Sequence, residues 1–167
     1  MAEGLFITRK DLVKFTSVNG NVDSDKFLQY IKIAQDIHIK NYLGTDLFNK
    51  IQDDIEASTL TGDYLTLVTD YVKPMLVHWA MVEYLPFAAY SIANKGVFKH
   101  SSENASNVEK EEIDFLIEKE RNIAQYYTDR FIDYMSFNAS GTFPEYYTNS
   151  NDDVYPDKNA NFEGWVL

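Results

Sequence analysis

Apolar positions recur along this chain mostly at helical spacing, and the densest run of them, from Tyr64 to Asn94, predicts the element the others pack around. Its first part sets Leu65, Val68, Val72, Met75, Leu76 and Trp79 on one face at intervals of three and four residues. Its second part is apolar nearly all round, the pattern of a helix enclosed on most sides. Pro74 and Pro86 fall inside this run. Each removes a backbone donor and crowds the preceding turn. Either the helix bends at both, or Pro74 opens a new helix after a break near Lys73.

The stretch from Met75 to Ala93 is long enough to span a bilayer, but His78, Glu83 and Pro86 interrupt it. A carboxylate near the bilayer centre is costly, and no cluster of Lys and Arg flanks the segment. The expected element is therefore a core helix.

The same pattern places the other elements. Thr8 to Asp11 has the form of a capping box, with a short helix expected over Arg9 to Phe15. A helix is predicted from Ser24 to Tyr42, with Phe27, Tyr30, Ile31, Ala34, Ile37 and His38 on its stripe. Gly44 ends it in a turn suited to a positive φ, and Thr45 caps a helix from Asp46 to about Ala57. Leu47, Phe48, Ile51 and Ile55 form the apolar side of that helix. After Asn94 a polar stretch running to Ser106 reads as a projecting loop or a short hairpin. Ser106 and Glu109 then form a second capping box, opening a long helix from about Asn107 to Met135. Its stripe is Ile113, Ile117, Ala124, Tyr127, Phe131 and Tyr134, with Glu120 on the same side, at an edge, paired with a base such as Lys119, or held in an intersubunit contact.

Ser136 to Leu167 lacks helical period and carries Gly141, Pro144, Pro156 and Gly164. Yet Phe137, Phe143, Tyr146, Tyr147, Tyr155, Phe162 and Trp165 are spread through it. So many aromatic residues suit an arm lying across a surface, its own or a neighbour's. The expected fold is thus all-α: a small helical bundle around a central kinked helix (residues 1–135), with the loop or hairpin and a long extended, aromatic-rich C-terminal arm (residues 136–167).

Charge narrows the function. The net charge is −11, with 26 acidic and 15 basic residues among 167. Gripping nucleic acid needs clustered Lys and Arg, so specific DNA binding is not expected. There is no cysteine, which removes thiol catalysis, disulfides and thiolate metal sites. His38, His78 and His100 have no partner at a metal-binding or acid–base spacing on their own elements; His78 and Glu83, five apart, diverge around a helix. No phosphate-binding glycine loop and no nucleophile elbow occurs. The acidic pairs Asp53-Asp54, Glu111-Glu112 and Asp152-Asp153 read as solvated surface, and the run after Asn151 lacks the glycine and glutamate of a calcium loop. No catalytic, cofactor or metal residues are expected, and no enzyme.

Several stretches taken together resemble a known group. They are Phe6-Ile-Thr-Arg-Lys-Asp-Leu12, the run from Ala34 through Leu43-Gly44 to Phe48, Tyr71-Val-Lys-Pro-Met-Leu76, Glu83-Tyr-Leu-Pro-Phe87 and Ala93-Asn-Lys-Gly-Val97, followed by a long charged helix. In this order they resemble the head–tail connector, or adaptor, proteins of tailed bacteriophages, in particular the portal-proximal ring proteins of crAss-like phages. The resemblance covers about residues 5–135. It implies a structural virion protein at the head–tail junction, assembled in the host cytoplasm into a ring, commonly dodecameric. The ring would lie under the portal protein, contact further tail or ring proteins, and extend the channel through which DNA passes without specific binding. No membrane is involved.

An acidic chain suits such a channel wall, because like charge keeps DNA from adhering. A ring needs two different patches on each subunit. One is expected at Lys95, Val97 and Phe98, the other along the arm at Phe137, Phe143, Tyr146, Tyr147, Tyr155, Phe162 and Trp165. The alternative is an acidic helical protein-binding module or regulator that forms no ring.

Overall fold

The structure is a computed structural model that describes residues 4–18, 24–88, 90–93, 96–99, 109–150 and 153–159. Among the described residues it is all-α apart from one two-stranded hairpin. The helices are α1 (Arg9–Phe15), α2 (Ser24–Ala34), α3 (Lys40–Leu43), α4 (Thr45–Glu56), α5 (Gly62–Leu67), α6 (Lys73–Ala88), α7 (Lys110–Thr142) and α8 (Pro144–Thr148). The hairpin pairs β1 (Tyr90–Ala93) antiparallel with β2 (Gly96–Lys99), Ile92 opposite Val97.

The central element is one continuous helix made of α5, a π-helical turn at Val68–Val72, and α6. The π turn answers the question Pro74 poses. Proline has no N–H to offer the carbonyl four residues back. In the wider turn Lys73 N–H bonds Val68 O, five residues back, and the chain passes into α6 without a break. Met75, Leu76, Val77, Trp79, Ala80, Met81 and Val82 are all buried, so α6 is enclosed on most sides. α6 packs chiefly on α7 and on α2. Trp79 Nε1–H donates to Thr128 Oγ1 (3.0 Å), which donates in turn to Ala124 O (2.8 Å), so the polar tip of the indole is satisfied inside the α6–α7 seam. Tyr71 and Tyr134 stack across the same seam at 4.1 Å. No described helix is long and apolar enough to cross a membrane.

A second π turn, Gln35–Ile39, joins α2 to α3. The extra residue rotates the inward face. Phe27, Ile31 and Ala34 are buried as their spacing predicts, but Ile37 is exposed, and Gln35, Ile39, Tyr42 and Leu43 take the inward positions. Gln35 is wholly buried. Its Oε1 accepts Phe6 N–H (2.9 Å) and its Nε2 donates to Gly4 O (3.1 Å), tying the N-terminal segment to the bundle.

Three predicted boundaries move. The central helix stops at Ala88 rather than Asn94, and the apolar residues after it form β1. Leu65, placed on the buried stripe, is exposed, while Leu67 is buried. The long helix opens at Lys110, where Glu112 rather than Glu109 supplies the capping carboxylate: Glu109 N–H donates to Glu112 Oε2 (3.0 Å). Ser106 lies outside the described residues. At its far end α7 runs on to Thr142, because Met135 and Ala139 continue the buried stripe. The segment from 136 therefore begins as helix, not as an extended arm.

Candidate functional site

The C-terminal part of the chain is built against the turn between α3 and α4. Gly44 ends α3 at φ +75° and begins α4, its N–H bonding Lys40 O and its carbonyl accepting Phe48 N–H. Thr45 then pairs with residue 154 almost as a strand would: Thr45 N–H donates to Val154 O, and Val154 N–H to Thr45 Oγ1, both at 2.9 Å. Asp153 accepts from Lys40 Nζ (2.7 Å) and Thr45 Oγ1 (3.1 Å). These hydrogen bonds hold its carboxyl below the usual carboxylate range. Asp157 N–H reaches Asn41 O, and Pro156 is buried over Gly44. Lys158 closes the strap, its ammonium about 5 Å from the rings of Tyr146 and Tyr155.

Upstream of the strap, α8 fixes the end of α7. Phe143 is wholly buried, edge-on to Tyr64 at 5.2 Å, and Tyr64 donates to Glu145 Oε2 (2.6 Å). Burial first, and then this carboxylate, raise the Tyr64 hydroxyl above its ordinary range. Tyr146 is buried against Phe131 and is pushed up to about 12 by desolvation and by the charge of Asp157.

The sequence-predicted site residues divide accordingly. Phe143 and Tyr146, expected on an interaction surface, are buried in this domain: Phe143 lies between Tyr64 of the central helix and Tyr134 of α7, and Tyr146 packs on Phe131 of α7. Phe137 is 86% exposed, and Tyr147 and Tyr155 are more than half exposed, so these three remain available to a partner. Val97 and Phe98 lie on β2. Lys95, Phe162 and Trp165 fall outside the described residues.

Two histidine–glutamate pairs are brought together that local spacing does not announce. On the second π turn, His38 Nε2 lies 2.8 Å from Glu83 Oε1 of α6, its ring stacked on Trp79 at 4.0 Å. On α6, His78 Nδ1 lies 2.6 Å from Glu120 Oε2 of α7, its ring parallel to Tyr127. Glu120 is thus held within the subunit. The only sequence signal was a histidine and a carboxylate each set on an otherwise apolar stripe. His78 and Tyr127 also line a groove of about 350 Å³ beside the first π turn, together with Asp11, Lys14, Phe15, Thr69 and Lys73.

The imidazoles of His38 and His78 each make an inter-helix pair, and the described residues contain no group of His, Asp and Glu able to hold a metal ion. What they do leave outward is large apolar side chains: Phe115, Tyr126 and Phe137 on α7, Phe15 on α1 and Phe87 on α6.

A family model described as a family of unknown function, DUF6712, matches residues 39–155, from the end of the second π turn to the strap. The chain belongs to this family. The match takes in both halves of the strap contact, Thr45 with Val154. No curated protein and no solved structure matches the chain significantly.

Proposed function

We propose that this DUF6712 protein is a structural subunit of a tailed-phage virion: a connector that forms a ring under the portal, joins capsid to tail and extends the DNA channel. The observation that carries the reading is the exposure of large aromatic side chains on a rigidly braced, strongly acidic helical body. Phe115, Tyr126, Phe137, Tyr147 and Tyr155 stand outward from α7 and the segment after it, while their neighbours Phe131, Phe143 and Tyr146 lock that region to the core. Exposed aromatic anchors on a rigid scaffold are what subunit contacts use. Two of the stretches that resemble connector proteins, Ala34 to Phe48 and Tyr71 to Leu76, take in the second π turn, the Gly44 corner and the passage from the first π turn into α6. A net charge of −11 suits the wall of a channel that DNA must traverse without adhering. The protein acts by assembly and carries out no reaction.

The test is co-elution with the portal protein of the same phage in size-exclusion chromatography. Co-elution as a complex larger than either protein alone supports the connector. Separate elution, with the protein recovered instead on a small soluble partner, would favour the acidic binding module.

A further inference from the structure

The bundle presents two faces of opposite charge, each with its own exposed aromatic residue, one on α1 and the other on the N-terminal half of α7. α1 carries Arg9, Lys10 and Lys14 within seven residues of a chain that has only 15 basic residues in all. Lys10 and Lys14 are exposed, and Phe15 beside them is 56% exposed. The N-terminal half of α7 is the converse. Glu111, Glu112, Phe115 and Leu116 line one open depression, with Phe115 67% and Leu116 45% exposed. α1 packs on α2 and α6, whereas α7 packs on α6, the first π turn and α8.

We propose that these faces dock on each other between copies of this chain: the acidic, apolar face of α7 in one subunit receives the basic α1 of the next. The proposal rests on the ring reading and names its head-to-tail contact. Three features specify a second copy as the occupant. The first is charge complementarity: the net charge of −11 makes copies of this chain repel each other, and α1 is a basic element among the described residues through which an acidic chain can attract itself. The second is that each face pairs its charges with an exposed apolar side chain, Phe15 on one and Phe115 with Leu116 on the other, so that docking buries apolar area inside a charged rim. The third is that the two faces differ, as a head-to-tail contact requires; a self-complementary patch would close a dimer instead.

Charge exchange tests this directly. One variant carries Lys10→Glu and Lys14→Glu, the other Glu111→Lys and Glu118→Lys, on the face of Phe115; Glu112 is kept because its carboxylate caps α7. All four side chains are exposed, so both variants should fold, which circular dichroism verifies. Each alone should assemble roughly tenfold or more weakly than wild type, since like charges then face each other. Mixed one to one, they should assemble again, alternating around the ring. The chain has no cysteine, so a Lys14→Cys, Glu111→Cys double variant gives a second readout: oxidation should link many copies in series. Loss in each variant, rescue on mixing and serial cross-links support the contact. If wild type forms rings that neither variant weakens, this contact is overturned and the ring reading stands. If wild type stays monomeric both alone and with portal protein, the contact falls together with that reading.

Discussion

Pro156 presses so closely on Gly44 that a Cβ placed on Gly44 would lie 2.6 Å from the proline Cγ. Residues more than a hundred positions apart are thus matched at one point: a glycine at positive φ between two helices, and a proline in the strap that crosses it. Gly44→Ala should destabilise the protein by about 2 kcal/mol, roughly 1 from the left-handed backbone and the rest from displacing Pro156. Urea denaturation measures the loss. The paired variant Gly44→Ala, Pro156→Ala should recover part of it, whereas a loss unchanged in the pair would mean the proline contact contributes nothing.

The strap should also respond to acid. In the folded chain the Asp153 carboxyl sits below its ordinary value of 3.8, because Lys40 and Thr45 donate to its charged form. As pH falls, the unfolded chain therefore takes up this proton before the folded one does. The contribution is fully present above the unfolded value and is lost as pH drops through the folded one. The protection of Val154 N–H, its exchange measured against the intrinsic rate at each pH, should fall through that window in wild type, and Asp153→Asn should remove the pH step.

Gln35 fastens the N-terminal segment through both its amide atoms. Gln35→Ala leaves Phe6 N–H without its partner and opens a hole beneath the second π turn. The expected cost is about 2–4 kcal/mol, read as a lower melting temperature. Faster exchange of Phe6 N–H should accompany it; protection unchanged at Phe6 would show that another acceptor replaces the amide.

The His78–Glu120 pair can be weighed by a double-mutant cycle with His78→Ala and Glu120→Ala. Both side chains are largely covered, so the coupling should be about 1 kcal/mol, above the value of an exposed pair. A coupling near zero would leave the stacking on Tyr127 as the histidine's main role.

Most of the helices were legible in the sequence because their apolar stripes are long and regular. α1 lies where its capping box and stripe put it, and α4 within a residue of its predicted ends. The departures have local physical causes. A π turn inserts a residue that no periodicity reports, which is why Ile37 turned outward and Gln35 inward. The run after Ala88 is apolar on every side, and such a run does not distinguish strand from helix. Ser136 to Thr142 is weak in helix propensity, yet burial of Met135 and Ala139 carries α7 through it. The histidine–glutamate pairs and the strap join residues tens of positions apart, so their partners emerge only from the packing. A signal for the burial of Phe143 and Tyr146 was present in Phe143-Pro144, a proline at the start of a helix whose next inward position is Tyr146.

If many copies of this chain assemble into a ring, its solution mass by light scattering after size exclusion, alone and with portal protein, shows it. A closed species of many subunits, near a dodecamer, is expected in one or both samples. A monomer or dimer in both, at concentrations well above those of the assembling virion, would contradict it.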